Sequence, residues 1–303
     1  MTTLLEKHLP ALDKPQSPQQ AAFATTEGIC CFPQAARQPL QQLTQLFVQK
    51  LGHNLSGLYL HGSLAFGCWN PLRSDMDLLA VIHEALTVDQ KKSILDSVEA
   101  LWHTLPGAGV EFSIILADDA AAPFWPLPYQ LHYSKGWRSI YQKDPFQLCN
   151  YNFKTDRDLS AHLTVVRQHG VTLAGMAPQQ VIGQVPVPHL LQSLWWEIGT
   201  AQADILLAPT TVILNLCRGV AFAKDGLLLS KEQGAHWGVL QYPAWKWLIC
   251  RALEDYKGRY RYQLEAPQAK AFAHQLLTDY IALSQELGTP HFGFPMGDKS
   301  SIV

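Results

Sequence analysis

The most constraining feature of the sequence is a short acidic motif, Asp75-Met76-Asp77, that leads directly into the apolar run 78–82. Residues i and i+2 of a β-strand point to the same face, so the pattern predicts that both carboxylates converge. Two negative charges beside an apolar strand are costly unless a cation neutralises them. Because Mg²⁺ prefers convergent carboxylate oxygens, the motif indicates a magnesium site.

A glycine-serine pair precedes this motif. Gly62 and Ser63 follow the β-prone run 58–60, and such a turn can offer backbone N–H groups and a hydroxyl to an anion. An Asp-x-Asp motif alone often means only a solvated strand edge. The ordered series of strand, Gly-Ser turn, loop and acidic strand instead favours a site for a nucleotide triphosphate and its metal ions.

The overall composition favours a globular protein with a small-molecule substrate. The chain has 303 residues, of which 48% are hydrophobic and 16% charged, enough for two domains. The net charge of −2, without any run of basic residues, argues against nucleic acid as a partner. The sequence contains neither a signal peptide nor an apolar stretch of membrane length, so we expect a cytoplasmic protein without membrane contact. Its six cysteines form no Cys-x-x-Cys pair, which argues against zinc.

The first half of the chain has the pattern of a small α/β unit. Periodic apolar residues predict a helix over 34–51, and strands are predicted over 58–60, 75–82 and 110–116. Thr87 and Gln90 have the spacing of a capping box and predict the start of another helix. Glu111 is a lone acid near the start of the third strand. It fits a solvated edge, but the Asp pair favours a third carboxylate in the same cluster.

The second half has mainly helical spacing. Helices are predicted over 158–169, 189–206, 210–223, 242–256 and 267–286. We therefore expect an irregular leader over 1–33, one domain over 34–155, and a helical domain with an irregular tail over 156–303.

Two parts of the chain resemble a known family. Segments 58–63 and 73–79 resemble the nucleotidyltransferase motif of the DNA polymerase β superfamily, in the form found in bacterial aminoglycoside adenylyltransferases that modify streptomycin and spectinomycin. Segments 158–173 and 212–218 resemble the helical C-terminal domain of those enzymes. The resemblance, over about residues 40 to 255, implies an α+β fold: an N-terminal polymerase β-like nucleotidyltransferase domain, a mixed sheet with helices, followed by a C-terminal α-helical bundle domain.

The resemblance also implies roles for individual residues. Gly62 and Ser63 would hold the triphosphate of ATP, and Asp75 and Asp77 would bind two Mg²⁺ ions. Glu111 would complete a metal shell or act as the catalytic base. Three residues lie further along the chain: Trp137 would contact the aminoglycoside, and Arg218 and Lys231 would reach the phosphates. From the residues alone, Trp137 also fits a packing role, Arg218 a structural ion pair and Lys231 a surface position.

The expected reaction is Mg²⁺-dependent transfer of AMP from ATP to a hydroxyl of an aminoglycoside-type molecule, with release of pyrophosphate. The partner would be a small, hydroxylated, cationic substrate, and we expect a monomer. Segment 208–211 lacks an acid that the resemblance leads us to expect, which leaves the acceptor open. Other acids could bind a cation: Asp156, Asp158, Glu197 and Asp204. The alternatives are nucleotidylation of another small metabolite or of a protein hydroxyl, and a non-catalytic nucleotide-binding protein.

Overall fold

The computed structural model of the chain describes residues 29, 31–150, 154–259, 265–289 and 292. The predicted leader over 1–33 lies outside these residues, apart from its last few positions. The predicted tail beyond 289 also lies outside them, apart from residue 292. In the described part of the chain, no helix has the length and apolar character needed to cross a membrane.

The first part of the structure is organised by a five-stranded mixed sheet. Its strands are β1 (Leu55–His61), β2 (Met76–Ile82), β3 (Val110–Leu116), β5 (Leu131–Tyr133) and β7 (Val171–Gly175). They lie in the order β5-β3-β2-β1-β7. Strands β2 and β3 are parallel, and the other neighbours are antiparallel. A separate two-stranded ribbon pairs β4 (Leu127–Tyr129) with β6 (Lys154–Asp156).

Helices cover both faces of this sheet. The elements that accompany the strands are α1 (Gln34–Leu51), α2 (Gly62–Ala65), α3 (Val88–Leu101), α4 (Ala117–Ala121), α5 (Arg138–Lys143), α6 (Pro145–Cys149), α7 (Leu159–His169) and α8 (Pro178–Val181). Leu58 and Leu60 of β1 face a core shared with α1 and α3, whereas Tyr59 faces a core shared with α7. This alternation is the two-residue period of a strand with both faces buried.

Several predicted elements of the first part are confirmed. Helix α1 and strand β3 have the predicted bounds, and Thr87 and Gln90 form a complete capping box at the start of α3. Strand β7 was not predicted. It lies inside the range assigned to the helical second domain, yet it pairs with β1 and belongs to the sheet.

The remainder of the described chain is helical. It contains α9 (Val187–Ile198), α10 (Ala201–Asp204), α11 (Pro209–Asp225), α12 (Lys231–Gln241), α13 (Lys246–Tyr256) and α14 (Ala266–Glu286). Residues of α11 such as Leu214, Leu216 and Val220 are fully buried among the other helices. The predicted helix over 189–206 is divided in two, since α9 ends at Ile198 and α10 begins at Ala201. Helix α12 was not predicted. A mixed sheet followed by a helical part confirms the predicted fold class.

Candidate active site

Three carboxylates converge at the start of the parallel strand pair. Asp77 in β2 and Glu111 in β3 are directly paired neighbours, and Asp75 immediately precedes β2. Each offers one oxygen, and these oxygens lie within 4.8 Å of one another. The Asp75 carbonyl accepts a hydrogen bond from Trp69 Nε1 at 3.1 Å, which fixes the backbone at the cluster. The predicted convergence of these three acids is therefore present.

The environment of the cluster disfavours negative charge. Burial raises the pKa of Glu111 to about 8, and the neighbouring charges of Asp75, Asp156 and Glu197 contribute. Burial, Asp75 and Glu111 also raise the pKa of Asp77 well above its ordinary value. Repulsion of this kind is relieved by a bound cation. The close spacing and the unfavourable charge together fit a divalent metal ion.

The Gly-Ser pair lies against the acidic cluster. Gly62 begins the short helix α2 with φ of +62°, directly after His61, which pairs with Asp77 across the strands. A backbone hydrogen bond from Ser63 lowers the pKa of Asp77, so this part of the turn serves the carboxylate as well as any bound anion. The Ser63 hydroxyl oxygen is buried without a hydrogen-bond partner among the described residues. A buried hydroxyl of this kind is available to a ligand.

Two cationic side chains from the helical part face this cluster. Arg218 of α11 donates from Nε to the Leu229 carbonyl at 2.8 Å and from Nη1 to Asn215 Oδ1 at 3.2 Å. Lys231 is the first residue of α12, and Asp75 and Asp77 both act on its charge. Burial lowers the pKa of Lys231, and the nearby Arg218 lowers it further. Neighbouring arginine and lysine side chains commonly bind a polyanion together.

One cavity of about 530 Å³ brings most of the predicted site residues together. Its lining contains seven of the eight: Gly62, Ser63, Asp75, Asp77, Glu111, Arg218 and Lys231. The acids and the serine come from the sheet part, and the two cations come from the helical part. Their positions relative to one another therefore depend on how the two parts pack.

Trp137 is the predicted residue that the structure does not bring to this cavity. Its side chain is 9% exposed and packs in the core that α1 and α3 cover. The Lys154 ammonium lies 4.7 Å from the centre of its ring. These contacts correspond to the packing role that the sequence also allowed, and they give no support to contact with a substrate in this cavity.

Several lining residues were not predicted from the sequence. His61 and His162 of α7 face each other with ring centres 5.1 Å apart, and burial lowers the pKa of both. Asn215 donates from Nδ2 to Glu197 Oε1 at 2.5 Å while it accepts from Arg218. Asn215 lies three residues before Arg218 on one helix, a spacing that could have suggested the contact. The histidine pair has no comparable signal, because its members lie on separate elements.

Three of the four candidate acids for a cationic acceptor line at least one of two adjoining cavities, whereas Asp156 lines neither. Asp158 and Glu197 line the large cavity. Asp204 and Glu197 line an adjoining cavity of about 240 Å³, together with Ala208 and Thr211 from the segment that lacks an acid. Negative charge is therefore present at the end of the site formed by α9 and α10.

Similarities to known proteins agree with this architecture. Residues 180–279 match the family described as "Aminoglycoside adenylyltransferase, C-terminal domain". The chain is 25% identical over 245 residues to an aminoglycoside (3'')(9) adenylyltransferase of Escherichia coli, which covers 78% of this chain and 91% of the relative. A relative of the same name from Rhizobium radiobacter is 25% identical over 229 residues, covering 73% and 82%.

The fold is also similar to a solved structure. The spectinomycin adenyltransferase AAD(9) from Enterococcus faecialis, solved with ATP and spectinomycin, aligns with a TM-score of 0.68 and 17% identity. The alignment covers 80% of this chain and 98% of the other. The chain is thus similar, in sequence and in fold, to proteins of the nucleotidyltransferase class. Within that class it is a relative of the aminoglycoside adenylyltransferases, which confirms the resemblance seen in the sequence.

Proposed function

We propose that this protein transfers AMP from ATP to a hydroxyl group of an aminoglycoside-type small molecule in an Mg²⁺-dependent reaction that releases pyrophosphate. One observation carries the proposal. The carboxylates of Asp75, Asp77 and Glu111 face Arg218 and Lys231 across a single cavity. Such an arrangement suits a polyphosphate that bridges metal ions and basic side chains.

The acidic cluster would hold the metal. Asp75 and Asp77 would bind two Mg²⁺ ions, with Glu111 as a third ligand or as the base. Three half-buried carboxylates with oxygens within 4.8 Å fit an oxygen-preferring divalent cation. Bound Mg²⁺ would supply positive charge that polarises the phosphate oxygens.

The phosphate groups would contact both parts of the protein. Support for Ser63 comes from its buried, unpartnered hydroxyl, which can donate to a phosphate oxygen. The hydrogen bonds that Arg218 makes to Leu229 and Asn215 hold its guanidinium in one orientation. Negative charge develops on pyrophosphate as it leaves, so Arg218 and Lys231 would stabilise that state more than the ground state.

Glu111 has the properties of a proton acceptor. Burial and the neighbouring carboxylates raise its pKa to about 8 in the metal-free cluster, and bound Mg²⁺ would lower that pKa, so that the carboxylate is ionised and can accept a proton. In the proposed reaction this carboxylate takes the proton of the acceptor hydroxyl as its oxygen attacks the α-phosphorus. The P–O bond to pyrophosphate then breaks, and the electron pair leaves with pyrophosphate.

The acceptor would lie near the acids of the helical part. Glu197 and Asp158 line the large cavity, and Asp204 lies in the adjoining one. Carboxylates at this end favour a cationic molecule such as an aminoglycoside. The relatives from Escherichia coli and Rhizobium radiobacter carry the name of such an activity.

The test is release of pyrophosphate. Purified protein with Mg²⁺ and ATP is incubated with streptomycin, spectinomycin and a wider panel of aminoglycosides, and the product is identified by its added mass of one AMP. We expect release that depends on both Mg²⁺ and acceptor, and none with the Asp77→Asn variant. Binding of Mg²⁺ and ATP without release for any aminoglycoside would overturn this acceptor class in favour of another hydroxyl substrate.

A further inference from the structure

The loop ahead of Asp75 is tied to the end of α13 by two side chains. Arg73 donates from Nη1 to the Asp255 carbonyl at 2.5 Å and lies 3.5 Å from Asp255 Oδ2. Asn70 donates from Nδ2 to the Tyr256 carbonyl at 3.3 Å. The Asp255 carbonyl also accepts from the Gly258 N–H at 2.9 Å, so Arg73 and Asn70 add side-chain donors to the end of this helix. We call the contacts of Asn70 and Arg73 with Asp255 and Tyr256 the latch. It joins the sheet part to the helical part.

The latch also reaches the helix that carries Arg218. Thr210, in the first turn of α11, donates from Oγ1 to Asp255 Oδ2 at 2.6 Å. Asp255 therefore holds Arg73 on one side and the start of α11 on the other. Asp255 thus joins the loop ahead of Asp75 to the start of the helix that carries Arg218.

Tyr256 lies between the latch and the cations of the cavity. Its ring lines the cavity, and the centre of the ring is 5.6 Å from Lys231 Nζ. On the sheet side, the buried Ser74, the residue before Asp75, lies near the phenol and partly offsets the burial that raises the pKa of Tyr256. Ser74 in turn accepts from the Asn70 backbone N–H at 3.1 Å. Tyr256 thus contacts both the segment that carries Asp75 and the ammonium group of Lys231.

We propose that Tyr256 is a positioning residue that holds the Lys231 ammonium in the cavity, opposite Asp75 and Asp77, while the latch fixes Tyr256 itself. The inference rests on the proposed function, since Lys231 has a task only if the cavity binds a polyphosphate. A lysine side chain has four rotatable bonds, and an aromatic face restricts it through cation–π attraction. Without the ring, the Lys231 ammonium is free to swing onto the Asp75 or Asp77 carboxylate, where it competes with a metal ion.

The experiment is a double-mutant cycle on polyphosphate binding. Calorimetry measures the affinity for Mg²⁺-ATP and, separately, for inorganic tripolyphosphate in the wild type, Tyr256→Leu, Lys231→Met and the double variant. We expect each single variant to weaken binding roughly tenfold. The double variant should bind as Lys231→Met does, because Tyr256 acts through Lys231. Tyr256→Phe keeps the ring and should stay within roughly threefold of the wild type.

Matched controls separate this role from general stability. Tyr242→Leu removes a tyrosine of the helical part whose hydroxyl bonds Asp279 at 2.8 Å and which does not line the cavity. It should lower the thermal midpoint and leave affinity unchanged. If Tyr256→Leu fails to fold, the Asn70→Ala variant removes the hydrogen bond to the Tyr256 carbonyl and keeps both the ring and Arg73, which lines the cavity. It should weaken binding in the wild-type background and have no effect beside Lys231→Met.

The possible results are distinct. Additive effects of Tyr256→Leu and Lys231→Met, or unchanged affinity in Tyr256→Leu, would overturn the positioning role. Coupled effects on tripolyphosphate, in a protein that modifies no acceptor, would support the role and overturn the proposed function. A wild-type protein that binds neither ATP nor tripolyphosphate would overturn both.

Discussion

Gly62 and Asp77 are in such close contact that only a glycine fits at position 62. A Cβ atom there would lie 1.8 Å from Asp77 Oδ2, and the φ of +62° is itself unfavourable for other residues. The turn that begins α2 and the carboxylate in β2 are therefore one structural unit. Any side chain at position 62 must displace the carboxylate.

Replacement of Gly62 by alanine should abolish activity, because the added methyl group moves the Asp77 carboxylate out of the acidic cluster. Gly67 is the matched control, with φ of +71° and no atom within 4 Å of an added Cβ. Gly67→Ala should lower the free energy of unfolding only by the backbone strain, roughly 1 kcal/mol, and the variant should keep wild-type activity. Pyrophosphate release and thermal unfolding of the two variants distinguish these effects. Equal activity in both would contradict the role given to the contact.

Removal of one carboxylate should have opposite effects on stability and activity. Asp77→Asn eliminates a half-buried charge that Asp75 and Glu111 repel, so the thermal midpoint in metal-free buffer should rise by a few degrees. Mg²⁺ should raise the midpoint of the wild type and leave that of the variant unchanged. Asp75→Asn should also lose Mg²⁺-dependent turnover. The control is Asp89→Asn on the exposed first turn of α3, which should behave as the wild type does.

Glu111 should make the metal-free protein less stable as pH rises. Its pKa of about 8 in the folded protein lies above the ordinary value of 4.5, so between these values the folded state binds the extra proton. The contribution of Glu111 to the free energy of unfolding is therefore fully present below pH 4.5 and is lost as pH rises through about 8. Glu111→Gln should flatten the fall of the thermal midpoint between pH 5 and about 8, whereas exposed Glu84→Gln should not. An equal slope in wild type and Glu111→Gln would argue against a shifted pKa.

The contribution of Arg218 to the reaction rate should depend on the shape of its guanidinium group as well as on its positive charge. Lysine at position 218 lacks the separate nitrogens with which Arg218 donates to Leu229 from Nε and to Asn215 from Nη1, so Arg218→Lys should slow pyrophosphate release by roughly 10- to 100-fold. Arg167 is a suitable control. It too donates two hydrogen bonds, in its case to the backbone carbonyls of Gln179 and Ile182, but it does not line the cavity. Arg167→Lys should reduce stability and leave the rate per folded molecule unchanged.

Trp137 should behave as a packing residue. Trp137→Ala should destabilise the protein by roughly 3–5 kcal/mol, because it empties a buried site. Trp137→Phe keeps most of the packing, so KM for the acceptor should remain that of the wild type. A large increase in that KM, without loss of stability, would restore the substrate contact that the family resemblance implied.

The sequence predicted the acidic cluster because its signals are local. The convergence of Asp75 and Asp77 follows from the two-residue period of a single strand. The addition of Glu111 to the cluster follows from a neighbouring strand with similar alternation. Helix α12 was not predicted because it contains two glycines. Gly234 and Gly238 lower helix propensity, yet an added Cβ would lie 2.6 Å from Arg218 Cγ and from Cys217 Sγ, respectively. These glycines permit the close packing of α12 on α11, which no single-helix pattern reveals.

The positions of the other site residues depend on contacts between distant segments. Segment 171–175 resembles the end of a helical region in sequence, but in the structure it forms β7 by pairing with β1. The latch joins residues separated by more than 180 positions, such as Asn70 and Tyr256. A periodic pattern contains no information about such pairs.

The late position of β7 has a consequence for synthesis on the ribosome. Strand β1 receives its second neighbour only when Val171–Gly175 has left the exit tunnel, although all the carboxylates of the cluster were made much earlier. Until then, β1 presents an open edge with unpaired backbone groups, the kind of surface on which nascent chains associate. Helix α7 directly precedes β7 and covers the sheet beside it, so the edge and the adjacent apolar face are protected in a single step.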